Sequence, residues 1–383
     1  MELRGSEATA GRLFQAAGYR TGFVGKWHLG GIHEIREYTA DIKEIMEKEK
    51  ELVANFGGFD QVSGLYMTNP KYQAKTLGLP EEKAVHNPTY LTQNVLNFIR
   101  DVAKDPSRAP FVLIYSPTLV HYPLVSKHDD PRIGPYGLID PAPDANTSQN
   151  KIIHRWDEAG NKRRDLSVIA LDLSIEAIME ELSRYKLDKD TLVLFMSDNK
   201  KAKSSVYDDG VAVPAVMFWD GRLSPHTYAG LFANIDILPT VLDAADIDFE
   251  PKDFDGRSAW LALTRKEDAP RSHLMLEQGF SRTVVSNEGW KYLRVELPAG
   301  AGAELDEAII DYSGRMHEPE RKGNNHFWRH YHLHSGVFDK EQLYNLKVDP
   351  AETQNQADNP EHAERLMTMR ELLEAEVSAA RKR

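Results

Sequence analysis

Gly18-Tyr19-Arg20-Thr21-Gly22-Phe23-Val24-Gly25-Lys26-Trp27-His28-Leu29-Gly30 is the stretch from which the fold can be read outward. Upstream of it, Thr9 to Ala17 has helical character, and Gly18 follows as a stop signal. Thr21 to Gly25 reads as a short strand whose polar end carries Lys26 and His28. Two residues apart at a strand end, these side chains point the same way and can converge on one ligand. The plainer alternative is a surface lysine beside a packed histidine. An α/β core more often starts on a strand than on a helix, so something is expected to precede Met1.

Two later segments repeat the pattern. Pro110-Phe111-Val112-Leu113-Ile114-Tyr115 is a short apolar run followed by His121, and Thr191-Leu192-Val193-Leu194-Phe195-Met196 leads directly into Ser197-Asp198-Asn199. Such runs, bounded by turn residues, fit strands of a mostly parallel sheet covered on both faces. Helical patterns precede them at Tyr90 to Val102 and Asp165 to Tyr185. Helix–strand alternation indicates an α/β fold, whose sites lie just beyond the carboxyl ends of the strands. Taken alone, His121 reads as a hydrogen-bonded loop residue. Asp198 and Asn199 offer oxygens that suit Ca²⁺ or Mg²⁺, or the turn chemistry common for Asp and Asn. At equivalent ends of three strands, the three clusters look like one site.

Elsewhere, the Glu/Lys-rich stretch from Glu34 to Val53 reads as a solvated surface helix, and the Pro/Gly-rich span from His121 to Asp165 as a long functional loop or lid. Asn234 to Asp243 looks like a core helix. Ser281 to Leu297 reads as two strands around a Ser286-Asn287-Glu288-Gly289 turn, and Pro360 to Arg383 as a charged helix. These place an α/β domain at 1–267 and a smaller α+β domain at 268–383, with a small antiparallel sheet and terminal helix. Lys and Arg total 47 against 59 for Asp and Glu, a net charge of −12 that disfavours a nucleic-acid partner. No apolar run approaches the roughly 20 residues that span a bilayer. The opening Met1 to Ser6 lacks a basic-then-apolar export signal. With Cys 0, disulfides, thiolate metal sites and a cysteine nucleophile are excluded for these 383 residues.

Gly18 to Gly30 closely resembles the second signature of the type I sulfatases, members of the alkaline-phosphatase-like superfamily. Other landmarks follow in order. Phe56-Gly57-Gly58-Phe59-Asp60 is similar to the family's GFD element, Phe111 to Pro123 to the strand before its His-x-Pro, and Ser197-Asp198-Asn199 to its SDN. Lys203 to Pro214 resembles K-x-x-x-YEGG-x-x-x-P, and Leu343 to Asn355 the C-terminal LYDLxxDPxExxN segment. The resemblance implies an alkaline-phosphatase-like α/β fold and hydrolysis of sulfate monoesters. By position, Lys26 and Lys203 would hold sulfate oxygens, His121 would protonate the leaving group, and His28 would orient or deprotonate the nucleophile. Asp198 and Asn199 would supply part of a Ca²⁺ shell. The implied partner is a sulfated small molecule or sulfated glycan, and the family's usual location is periplasmic, secreted or lysosomal; oligomeric state is not implied.

The sequence also departs from the family. The nucleophile there is a formylglycine made from Cys or Ser in C/S-x-P-x-R, upstream of the GKWHLG segment, with an Asp pair completing the metal shell. Only 25 residues precede Lys26 and neither feature is among them. The segment from Asn199 to Lys203 is short, and Asp208-Asp209 replaces Glu-Gly. These differences lead to the expectation that the 383 residues alone have little or no sulfatase activity, and that the family's first strand lies outside them. The alternatives are a non-catalytic binder of sulfated glycans with the same fold, and a related phosphoesterase, which the GKWHLG segment disfavours. Arg315 to His334, rich in Arg, His and aromatics, suits a sulfated sugar or simply a basic solvated loop, and Arg282 and Lys291 are grouped with it.

Overall fold

Thr9 accepts a hydrogen bond from the Arg12 N–H and so caps the first helix, α1 (Ala10–Ala16). The computed structural model describes residues 8–29, 42–121, 123–126, 129–139, 143, 149–158, 165–200, 205–265, 268–296, 309–310, 316–317, 334, 336–337 and 339–381. They fall into two compact units, Met1–Thr191 and Leu192–Arg383. The division read from the sequence at 267/268 lies inside the second unit.

In the first unit, β1 (Arg20–Lys26) is the middle strand of a parallel sheet, between β2 (Gln61–Tyr66) and β3 (Phe111–Ser116). A strand paired on both edges in a parallel sheet needs cover on both faces. Gly22 lies so close to Phe98 of α4 (Pro88–Lys104) that a Cβ would strike the ring. On the opposite face, Phe23 packs with Met46 and Val53 of α2 (Ile42–Gly57) and with Phe59. Between α2 and α4 comes the short α3 (Pro70–Thr76). The Glu/Lys-rich helix is therefore not simply solvated. Ile45, Met46, Glu49 and Val53 share its buried stripe, and the charges occupy the rest; residues 34–41 lie outside the described residues.

The described residues of the span after His121 include regular structure. They form a hairpin, β4 (Ile133–Gly134) with β5 (Gly137–Leu138), and a helix, α5 (Gln149–Glu158). Buried amides clamp the hairpin: Asn87 Nδ2 donates to the Pro131 and Ile133 carbonyls at 2.7 Å each, and Gln73 Nε2 to the Pro135 carbonyl at 2.6 Å. The next helix, α6 (Asp165–Arg184), docks on α4 through Thr92 Oγ1 donating to Ser174 Oγ at 2.9 Å.

In the second unit, the apolar run before Ser197 is β6 (Val193–Met196), paired antiparallel with β7 (Ala215–Phe218). The short helices α7 (Asp208–Val211), α8 (Ile237–Ala244) and α9 (Trp260–Leu263) flank this part of the chain. An antiparallel sheet follows, built from β8 (His273–Gln278), β9 (Ser281–Ser286) and β10 (Trp290–Val295). A two-stranded pair, β11 (Ile309–Ile310) with β12 (Met316–His317), precedes its fourth strand, β13 (Glu341–Asn345), which pairs with β10. The terminal helix Ala363–Ala380 lays Leu366, Met369, Leu373 and Val377 over Val284, Tyr292 and Leu343 of this sheet. Their i, i+3, i+7 spacing makes one apolar stripe. Among the described residues no helix is long and apolar enough to cross a membrane.

Candidate active site

Lys26 stands at the carboxyl end of β1, where the pairing changes. Val24 is opposite Ser63 but Lys26 is opposite Tyr66, so β2 carries an extra residue. Gly64 absorbs it with φ +58, the left-handed conformation that a bulge requires. Beyond β1 the chain keeps following β2, with the Trp27 N–H donating to the Tyr66 carbonyl at 2.8 Å and the His28 N–H to the Met67 carbonyl at 3.1 Å. His28 itself is exposed and holds φ 55, a strained conformation for a residue with a Cβ. Lys26 Nζ donates to Asn69 Oδ1 at 3.4 Å. Asn69 is buried at the start of α3, yet its side chain makes no capping bond there.

Gly25 carries the other side of this corner. It has φ +113, and a Cβ there would collide with the Ser116 carbonyl at the end of β3. Past Ser116, the Thr118 carbonyl accepts from the His121 N–H at 3.3 Å and closes a turn. The His86 ring packs against that turn. Its Nε2 lies 2.9 Å from the His121 carbonyl and its Nδ1 2.6 Å from Thr118 Oγ1. Burial, the largest cause, pushes the His86 imidazole down to about 4, with the His121 and Lys26 charges acting in the same direction. Hydrogen bonds to the His121 and Pro123 backbone oppose the shift. The structure thus brings Lys26 and His121 to one corner, with His28 two residues on from Lys26. Sequence reasoning missed Asn69 and His86. Each stands directly before a helix-starting proline segment, Asn69-Pro70 and His86-Asn87-Pro88, where capping is the ordinary explanation.

In the second unit Asp198 is exposed and Asn199 half-buried, and Ser197 Oγ donates to the Asn199 carbonyl at 2.8 Å. Lys203 lies outside the described residues. Asp198 and Asn199 offer two hard oxygen donors, whereas Ca²⁺ takes about six to eight. Among the described residues no group of three or more His, Asp or Glu side chains converges on a metal position. A complete Ca²⁺ shell is therefore not assembled by the described residues.

The Asp pair that replaces Glu-Gly opens α7, with Asp209 inside the helix rather than at positive φ. Lys291, expected beside Arg315 to His334, is instead fully buried and pairs with Asp208 Oδ1 at 2.8 Å and Glu352 Oε1 at 2.7 Å. Glu352 Oε2 accepts from the Asp208 N–H at 2.6 Å. Burial raises the Glu352 carboxyl above its usual range, against the pull of Lys291. Arg282 is bound by Glu277 and Glu296 at 2.5 and 2.7 Å. His334 is buried, stacked on Tyr207 with ring centroids 3.8 Å apart and planes 4° apart. The sequence groups these three residues by composition, but their partners make them structural. Of the rest of Arg315 to His334, residues 315 and 318–333 lie outside the described residues.

The Sulfatase family model matches residues 2–247. The chain belongs to the sulfatase family. It is 29% identical over 295 residues to the uncharacterized sulfatase YdeN of Escherichia coli K12, covering 68% of this chain and 48% of that protein. It is 24% identical over 317 residues to human arylsulfatase A, covering 73% and 55%. The chain thus spans about half the length of these two relatives. A structure from work on glycosaminoglycan metabolism by Bacteroides thetaiotaomicron superposes with TM-score 0.59 at 19% identity, covering 98% of this chain and 83% of that one. The parallel sheet of the first unit and the antiparallel sheet of the second fit the alkaline-phosphatase-like α/β fold expected from the sequence.

Proposed function

We propose that this chain carries the sulfuryl-binding part of a sulfate monoester hydrolase. The supporting observation is the corner at the carboxyl ends of β1 and β3, where Lys26 and the His121 turn both act on His86. A sulfate monoester presents one negative charge spread over its outer oxygens, and its cleavage leaves charge on the departing alkoxide. Lys26 neutralises the former, held by the Asn69 side chain. His121 donates the proton that the leaving oxygen needs, and His28 orients or deprotonates the nucleophile. Asp198 and Asn199 are the residues that would hold part of a Ca²⁺ shell, and the chemistry such an ion supplies is that of a Lewis acid. The substrate class is a sulfated small molecule or glycan, in keeping with a fold relative drawn from glycosaminoglycan metabolism.

The 383 residues contain no cysteine and no Cys/Ser-x-Pro-x-Arg segment, so the covalent nucleophile of this chemistry is not among them. This favours a second reading for the chain as it stands: a binder that retains sulfate esters without hydrolysing them. The purified chain, supplied with Ca²⁺ and 4-nitrophenyl sulfate, is expected to bind the ester without releasing 4-nitrophenol, and Lys26→Ala to weaken that binding. Clear turnover would overturn the expected inactivity. Absence of binding would overturn the sulfuryl-site assignment.

A further inference from the structure

We infer that His86 positions the His121 turn, fixing the backbone from which the leaving-group acid projects; the inference rests on the sulfuryl-site reading above. A carbonyl only accepts, so the 2.9 Å contact to the His121 carbonyl puts the proton on His86 Nε2. Nδ1 of the neutral ring then accepts from the Thr118 hydroxyl at 2.6 Å. One uncharged imidazole thereby ties both ends of the 118–121 turn, which the 3.3 Å bond from the His121 N–H to the Thr118 carbonyl closes from within. His86 is only 3% exposed, so water does not compete for these two bonds.

The ring is also delivered from a rigid base. Its neighbour Asn87 caps α4 by accepting from the Tyr90 N–H at 2.8 Å and holds the β4–β5 hairpin through two carbonyls. Movement of the His121 turn away from β3 would therefore break its bonds to the segment that leads into α4. The charges of Lys26 and His121 both reach this ring. A protonated His86 would add a third positive charge behind the sulfuryl position, so the neutral tautomer suits the site. Because His86 touches the backbone of the acid and not the ester, it is a positioning residue.

Two readouts on the 383-residue chain test this. In ¹⁵N-histidine NMR without ligand, His86 is expected to show the neutral Nε2–H tautomer at pH 7. His86→Leu is expected to shift the His121 ring signals. His86→Gln, whose Nε2 amide can still donate to the His121 carbonyl, is expected to restore them largely. With 4-nitrophenyl sulfate as probe, His86→Leu is expected to weaken binding about tenfold and His86→Gln about threefold or less, the range of one hydrogen bond. Should His86→Leu not fold, Thr118→Val removes only the hydroxyl on Nδ1 and is expected to shift the same His121 signals. Unchanged His121 signals in a folded variant would overturn the inference. A wild-type chain that binds no ester would overturn the sulfuryl-site reading alone, since the ligand-free spectra decide the role of His86 independently.

Discussion

Gly25 tolerates no side chain. Its φ of +113 is strained for any L-residue, and the Ser116 carbonyl occupies the space of a Cβ. Gly25→Ala is expected to cost about 2–4 kcal/mol in urea unfolding and to displace Lys26. His86 makes a pH prediction. Its folded value of about 4 lies below the ordinary 6.5, so as pH falls below 6.5 the unfolded chain takes up the proton first. Its contribution is complete above 6.5, declines towards pH 4 and then levels off, a loss of about 3 kcal/mol in all. The positive charges facing the ring, Lys26 and His121, reinforce that direction. His86→Gln should remove this slope, read as the difference in urea midpoints at pH 7 and 4.5 between wild type and variant. An unaltered slope would refute the assignment.

At the scale of elements, the Lys291–Asp208–Glu352 trio holds α7 to β10 and to the turn after β13. Lys291→Met would leave the buried Glu352 carboxylate without its cation and facing Asp208, and is expected to destabilise the chain by about 3–5 kcal/mol in chemical denaturation. A loss below about 1 kcal/mol would mean that the trio is not formed. Local pattern made several elements legible: the helix between Thr9 and Ala17, the β1 and β3 runs, the Ser286–Gly289 turn and the terminal helix all lie close to their expected positions. The elements misread were those decided by distant partners. The α2 stripe is hidden among Glu and Lys, and the hairpin after His121 is held by amides of Gln73 and Asn87, far away in sequence. Nothing in the neighbourhood of Lys291 announces two carboxylates, one of them 83 positions upstream.

For the whole molecule, the sequence singles out Lys26, His28 and His121 because a specific motif carries them, and their roles remain part of the proposal. His86 and Asn69 were not legible, because burial and partner distances appear only on folding. The two compact units, each with its own core, make a calorimetric prediction. The total unfolding enthalpy is expected to exceed the van't Hoff enthalpy, as when parts of a chain melt separately. A ratio of one would show a single cooperative transition.

The span between Asp208 and Glu352 has a consequence for biosynthesis. The hydrogen bond from the Asp208 N–H to the Glu352 carboxylate bridges 144 positions. While the ribosome is still making the intervening chain, the ammonium of Lys291 and the start of α7 lack the carboxylate that completes their enclosure. This corner of the nascent polypeptide must wait for its late-made partner, and ribosome-stalled chains released before Glu352 should be cut readily by protease around Asp208, whereas those extending past it should resist.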